Sequence, residues 1–465
     1  MVEECYRQIE TQATTSQCIQ RAIESPPESD AESHSDHPES SSEDDLDVIG
    51  DGHSSDSGAS SVLFSGLCHF ACNAGLGDAY LTLDEALEHV FEAACTATAP
   101  HGKEPSTLSE ALKRPDGDKW MQAAIEEITS LVANGTWQPV RLPEGRKAIG
   151  CRWVFKVKKN ADGSVERYKA RLVAKGFSQR PGFDFEETFS PTAKWAALRA
   201  ILAYASLQDM EMESIDISNA FLNGDLDHDV YMQEPEGFAE LGPGWALKLI
   251  KSIYGLKQAG RQWHKKLDSA LQSMGFSKVK CDNAIWVYKR QDAHIILPVY
   301  VDDMTIVAKH KSQIVHVKSE LKKHFKLRDL GPTSFLLGVL IERDRSKKQL
   351  SLSQHHFITD ILDTYGSPDM KGCDTPLDPG QKLSADMCPK SQEDMDKMQD
   401  KPYAQLVGTL MYLAIATRPD IAKAVGVLSR FTAKPGIAHW KAAQHLLRYL
   451  KNTMHYKLTY APDPS

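Results

Sequence analysis

The chain runs to 465 residues, 41% apolar and 25% charged, enough for two or three domains or one multi-lobed enzyme and too apolar for a chain disordered throughout. No run of about 18 apolar residues occurs, so no membrane-spanning helix is expected. No basic-then-apolar leader opens the chain, so secretion is not expected either. The net charge of −9 hides a division: residues 1–60 hold 15 Asp/Glu against Arg7 and Arg21, whereas residues 141–180 hold 12 Lys/Arg against Glu144, Asp162 and Glu166. So basic a segment marks either a polyanion site or a solvated charged hairpin. The nine cysteines are scattered. Cys68 and Cys72 form the only close pair, without a second pair at zinc-finger spacing, and reduced thiols are expected.

Residues 24–60 are rich in Ser, Asp, Glu and Pro and have little to bury, which predicts disorder. Asp84–Cys95 could form a short helix. Ordered structure is expected from about residue 106, where Thr107-Leu108-Ser109-Glu110 has capping-box spacing. A second helix follows over Lys119–Ala133, with Trp120, Ala124, Ile128 and Leu131 on one face and Asn134-Gly135 as its stop. Trp153–Lys158 and Tyr168–Lys175 alternate around the turn Asn160-Ala161-Asp162-Gly163 and predict a hairpin with one cationic face. Trp195–Leu207 reads as a helix and Met212–Ile217 as a strand. A turn at Tyr254-Gly255 leads into an amphipathic helix reaching Met274. Ile295–Val301 and Met304–Ala308 are strands, Lys309–Phe325 is a charged helix, Phe335–Glu342 and Gln349–Ser353 make a further hairpin, and the chain from Tyr403 is mostly helical. Within that last part Leu406–Ala416 reads as a buried helix.

Asp302-Asp303 interrupts what is otherwise one long strand, so a hairpin carrying two carboxylates at its tip is expected. Asp216 lies near the end of another strand. If the two strands are neighbours, three carboxylates converge. Phosphoryl transfer needs such a group, because two Mg²⁺ ions about 3.5–4 Å apart stabilise both the attacking and the leaving oxygen. Mg²⁺ is a hard ion that takes oxygen ligands, and three close aspartates without a cation would repel one another. Taken alone, the dipeptide reads rather as two polar turn residues, and it is the surrounding sequence that reverses this.

The wider text resembles copia-type retrotransposon reverse transcriptases. Asp216-Ile217-Ser218-Asn219-Ala220-Phe221-Leu222-Asn223-Gly224, followed by Val230-Tyr231-Met232-Gln233-Glu234-Pro235-Glu236-Gly237-Phe238, is similar to the family's first carboxylate block. Tyr254-Gly255-Leu256-Lys257-Gln258-Ala259, then Arg261-Gln262-Trp263, matches the next, although Gly260 stands where the family usually has proline. Tyr300-Val301-Asp302-Asp303 is the family's Y-V-D-D, and Leu337-Gly338 resembles its primer-grip hairpin. Thr417-Arg418-Pro419-Asp420-Ile421-Ala422, with Ser429-Arg430-Phe431, Pro435 and His439-Trp440, matches the stretch that leads into RNase H. The likeness covers roughly residues 106–460.

That resemblance implies an α+β right-hand polymerase. Residues 1–100 would be a mostly disordered acidic linker. Residues 106–350 would form fingers and palm, and 351–465 a thumb and helical connection leading to an absent RNase H domain. Asp216, Asp302 and Asp303 are implied as catalytic ligands of two Mg²⁺ ions, with Mn²⁺ as a substitute. Lys169 or Arg171 would hold the dNTP triphosphate, Phe221 would select the deoxy sugar, and Gln258 would lie near the incoming nucleotide. Arg152, Lys156, Lys158, Tyr300, Leu337 and Gly338 would meet template or primer. The implied partners are a primed RNA or DNA template and dNTPs, no membrane, and retroelement capsid and integrase. The implied location is a cytoplasmic particle and later the nucleus. The end at Ser465 reads as a polyprotein fragment or a decayed copy, so RNA-strand degradation by this chain is not expected. Three rival readings differ in class. The first is an inactive remnant that binds nucleic acid without polymerising. The second is a nucleotide cyclase, which needs neither the basic segment nor Phe221. The third makes the acidic N-terminus an interaction tail independent of catalysis.

Overall fold

Helix α1 (Leu108–Leu112) begins where the sequence places a cap, with the Thr107 hydroxyl accepting from the Glu110 amide at 3.1 Å. The Glu110 carboxylate reaches one residue further back than a capping box requires and accepts from the Ser106 amide and hydroxyl. Helix α2 (Gly117–Ala133) buries Trp120, Ala124, Ile128 and Leu131, as its 3.6-residue spacing demands, and ends before Gly135 at φ +62°. In this computed structural model the described residues are 104–159, 165–239, 241–290 and 293–462, and all belong to one unit. The acidic segment, the helix expected at Asp84–Cys95, the Cys68–Cys72 pair and the hairpin turn at 160–163 lie outside them.

Strand β1 (Trp137–Arg141) leads to the hairpin of β2 (Cys151–Lys159) and β3 (Val165–Ala174). After α3 (Trp195–Leu207) come β4 (Glu211–Ile217), β5 (Asp225–Met232) and β6 (Trp245–Lys251). Helix α4 (Ala259–Ser273) precedes β7 (Ser277–Val279), β8 (Asp282–Arg290), β9 (Ala293–Tyr300) and β10 (Asp303–Ala308). Helix α5 (Lys311–His324) then leads to β11 (Leu327–Pro332), β12 (Phe335–Leu336), β13 (Val339–Asp344) and β14 (Gln349–Ser353). The C-terminal part holds α6 (His355–Tyr365), α7 (Gln392–Asp396), α8 (Tyr403–Ala416), α9 (Ala422–Ser429), α10 (Ile437–Asn452) and β15 (Leu458–Tyr460).

These strands make four sheets, of orders β1-β6-β5, β11-β4-β10-β9-β8-β7, β12-β13-β14-β15 and β2-β3. The six-stranded sheet is antiparallel throughout; α4 and α5 cover one of its faces, and Met212, Ile285 and Val307 on the other belong to the core that contains α3. A second core joins α1 and α2 to the β2–β3 hairpin and to β5 and β6. A third joins α3 and the β12–β14 sheet to the C-terminal helices. Helix α8 is buried on nearly every side, which explains its unbroken apolar run. No helix of the described residues is long and apolar enough to cross a membrane.

The expected single strand over Phe335–Glu342 is instead two. Leu337 (φ +49°) and Gly338 (φ +77°) make a two-residue turn between β12 and β13, with both residues at the positive φ such a turn needs. The pairing of β15 with β14 has no local signal in the sequence, because it joins residues about a hundred positions apart.

Candidate active site

Strand β4 lies between β10 and β11. Asp216 therefore has Asp303 directly opposite on one side and Arg328 on the other. Directly opposed Cβ atoms in an antiparallel pair are about 4.5–5.5 Å apart, so the Asp216 and Asp303 carboxylates emerge together on one face. Asp302 occupies the β9–β10 turn, and its carbonyl accepts from the Ile217 amide at 3.1 Å, which ties the hairpin tip to the residue after Asp216. The register thus opposes Asp216 and Asp303, with Asp302 next to them in the turn.

The electrostatics follow from this crowding. Burial, and then the charges of Asp302 and Asp216, push the Asp303 carboxyl up to about 6. Burial also raises Asp302, with Asp216 adding to the effect and the cations Arg171 and Lys169 opposing it. Half-buried oxygen donors that repel one another suit a divalent cation, which would neutralise them. Among the described residues no three His, Cys, Asp or Glu side chains are gathered tightly enough to hold an ion unaided.

The β2–β3 hairpin supplies the opposing charge. Its register sets Lys156 opposite Lys169, Lys158 opposite Arg167, Val154 opposite Arg171 and Arg152 opposite Val173. Because side chains alternate, all six cations share one face, while Trp153, Phe155, Ala170 and Leu172 fill the core on the other. Like charges directly opposed destabilise a sheet, so this face is built against its own stability. Burial and the neighbouring cations hold Lys158 and Lys169 below the usual lysine range. The Arg171 guanidinium stands 5.2 Å from the centre of the Tyr254 ring, and its buried Nε has no partner. Tyr254 in turn meets Phe221 edge-on at 5.1 Å. A chain of contacts thus runs from the cationic face to the segment that follows Asp216, and Phe221 packs against both adjoining cores.

Three side chains the sequence reading left without a role belong to this frame. Glu127 of α2 accepts from the Leu172 amide at 3.2 Å and lies near Lys169 and Arg171, which oppose the upward push of burial on its carboxyl. Asn219 (φ +53°) donates to the Ser130 hydroxyl of the same helix. Trp263 donates from its indole to the Val301 carbonyl at 2.8 Å. For Trp263 a signal existed, since it sits in one of the recognisable blocks. For Glu127 there was only its place on a helix face.

Two expectations need correction. Gln258, expected beside the incoming nucleotide and otherwise on a helix surface, is 1% exposed. Its oxygen accepts from Gln179 and its nitrogen donates to the Asp184 carbonyl, both at 2.9 Å, while the Gln179 oxygen accepts from the Lys257 amide. The carboxamide is a buried part of the packing between this turn and residues 179–184. The Leu337 side chain is likewise buried in the C-terminal core and its carbonyl accepts from the Tyr412 hydroxyl, which leaves Gly338 as the exposed part of that turn. Arg152 and Lys156 are exposed on the cationic face, and Tyr300, half-buried, pairs with Asp303.

Residues 134–379 match the reverse transcriptase (RNA-dependent DNA polymerase) family. The chain is 46% identical over 354 residues to the retrovirus-related Pol polyprotein from transposon TNT 1-94 of Nicotiana tabacum, covering 76% of this chain and 27% of that protein. It is 39% identical over 352 residues to the corresponding polyprotein from transposon RE1 of Arabidopsis thaliana, covering 75% and 23%. It is 31% identical over 247 residues to a transposon Ty5-1 protein of Saccharomyces cerevisiae, covering 53% and 78%. The chain thus spans about a quarter of the two plant polyproteins. A solved foamy viral protease-reverse transcriptase in complex with double-stranded DNA aligns at 11% identity over 83% of this chain and 60% of that one, with a TM-score of 0.35, too slight a likeness to argue from. By these matches, and by the order of its carboxylate blocks, the chain belongs to the reverse transcriptase (RNA-dependent DNA polymerase) family, in its copia-type retrotransposon branch.

Proposed function

We propose that this chain is itself an RNA-directed DNA polymerase, which extends a primer 3′-OH with dNTPs on a template strand. The observation that carries the reading is the register of Asp216 against Asp303, with Asp302 in the adjoining turn and the cations Lys169 and Arg171 close enough to act on it. A polyanion brought between the cationic hairpin and the carboxylates would meet positive charge on one side and metal-binding oxygens on the other.

Asp216, Asp302 and Asp303 would hold two Mg²⁺ ions, or Mn²⁺ in their place. When bound, such ions lower the pKa of the attacking hydroxyl and stabilise charge on the entering and leaving oxygens. The protein's own groups do the rest. Lys169 and Arg171 receive the triphosphate and hold the departing pyrophosphate. Arg152, Lys156 and Lys158 meet template or primer phosphate. Phe221, backed by Tyr254, presses on the sugar and discriminates against a 2′-OH. Recognition through backbone shape and charge lets RNA and DNA templates both serve. In this reading the β2–β3 hairpin belongs to the fingers, the six-stranded sheet is the palm, and the thumb and connection follow from about residue 340. Capsid, integrase and a particle environment belong to the same proposal.

The test is extension of oligo(dT) on poly(rA) by the full chain with dTTP and Mg²⁺, beside the variant Asp302→Asn/Asp303→Asn. Extension by the wild type alone supports the reading. A folded wild-type chain that binds primer–template without extending it is the inactive remnant instead, and pyrophosphate release from free nucleotide without a primer and without incorporation would point to cyclase-like chemistry.

A further inference from the structure

Only Val301 and Asp302 join β9 to β10, because Tyr300 and Asp303 are themselves paired. A two-residue hairpin turn needs positive φ at its first residue, a place that favours glycine. Here that residue is a β-branched valine at φ +55°. Valine keeps this conformation only where its surroundings impose it.

Two contacts impose it. The Val301 side chain packs against the core between the sheet, α4 and α5, and its carbonyl accepts from the Trp263 indole N–H at 2.8 Å. The indole is itself fixed, being 2% exposed and edge-on to Phe325 at 5.1 Å. Its backbone lies against Gly224, where an added Cβ would stand 2.8 Å from the Trp263 nitrogen. Gly224 closes the segment that Asp216 opens. Trp263 therefore touches both halves of the carboxylate site, the chain after Asp216 through its backbone and the Asp302–Asp303 turn through its side chain.

We propose that Trp263 is a positioning residue, whose indole N–H holds Val301 in the left-handed conformation and so fixes the aim of Asp302 and Asp303 against Asp216. It touches no reacting atom. The inference deepens the polymerase reading and rests on it for the catalytic consequence alone.

Trp263→Phe keeps a ring and removes the donor. In the full chain we expect kcat to fall roughly tenfold, the size of one lost hydrogen bond, with dNTP KM and primer–template affinity within about twofold of wild type. The Mg²⁺ concentration giving half of the metal-induced rise in melting temperature should increase severalfold. That melt is read without substrate, so it remains informative if the wild type extends no primer, an outcome that sinks the polymerase reading alone. Val301→Gly adopts the turn unaided, and adding Trp263→Phe to it should leave the Mg²⁺ midpoint where Val301→Gly alone puts it. The proposal is overturned by a wild-type Mg²⁺ midpoint in Trp263→Phe, whether or not the variant melts earlier. An equal shift in the Val301→Gly background overturns it too, as does a wild-type chain whose melting ignores Mg²⁺.

Discussion

Asp303 of β10 stands directly opposite Asp216 of β4, in a register that also sets Met304 against Ile215 and Thr305 against Ser214. Two acids that share one face of a sheet make the site costly in the absence of a cation, and that cost is measurable.

The Asp303 carboxyl is pushed from an ordinary 3.8 up to about 6, so the folded protein holds this proton more tightly than the unfolded chain. Its contribution to stability is full below the unfolded value and is lost as pH rises through about 6. In metal-free buffer Asp303→Asn should therefore be more stable than wild type at pH 8, by up to about 3 kcal/mol. The gap should shrink toward pH 5. Urea unfolding at the two pH values checks it, and a gap of the same size at both would show that the carboxyl is not perturbed.

The opposition of Lys156 and Lys169 on the β2–β3 hairpin sets two like charges side by side. Lys156→Thr should stabilise the free protein at low salt by about 0.5 kcal/mol, because it removes a like-charge pair. The same change should weaken primer–template binding and lower the slope of log affinity against log salt by about 1. Thermal melts and a salt titration of binding read the two effects separately.

Arg171 and Lys169 both bear on Asp302, Arg171 the more strongly. Arg171→Ala should raise the dNTP KM by about tenfold or more, the cost of a charge-assisted hydrogen bond, and Lys169→Ala by less. Steady-state kinetics at saturating primer–template decide the order.

Two positions should register as stability alone. Gly255 has φ +89°, and an added Cβ would lie 2.2 Å from the Ala174 carbonyl oxygen, in a stretch fixed by the Ala174 amide donating to the Tyr254 carbonyl. Gly255→Ala should cost roughly 2–4 kcal/mol. Gln258→Met would strand Gln179 and the Asp184 carbonyl and cost about 1–3 kcal/mol, while the fraction that remains folded keeps its dNTP KM. Denaturant curves beside active-site-titrated kinetics separate these losses from a nucleotide-binding role.

The sequence by itself determined the local elements and the chemistry they carry. Thr107 caps α1 because its hydroxyl reaches an amide three residues on, and Trp120, Ile128 and Leu131 recur at helical spacing, so α2 could only bury that face. Alternation in Trp153–Lys158 and Tyr168–Lys175 dictated one apolar and one cationic face before any fold was known. Such signals are legible because each depends on residues within a turn or two of the chain. Only the tertiary structure decided which strands meet. The insertion of β4 between β10 and β11, the sheet β1-β6-β5, and the pairing of β15 with β14 depend on the summed packing of distant segments, which no local period encodes. For the same reason Gln258 looked like a surface residue and is buried, since its partners Gln179 and Asp184 come from another part of the chain. Trp263 could be read as part of a block, but its hold on Val301 exists only because α4 lies across the sheet at the β9–β10 turn.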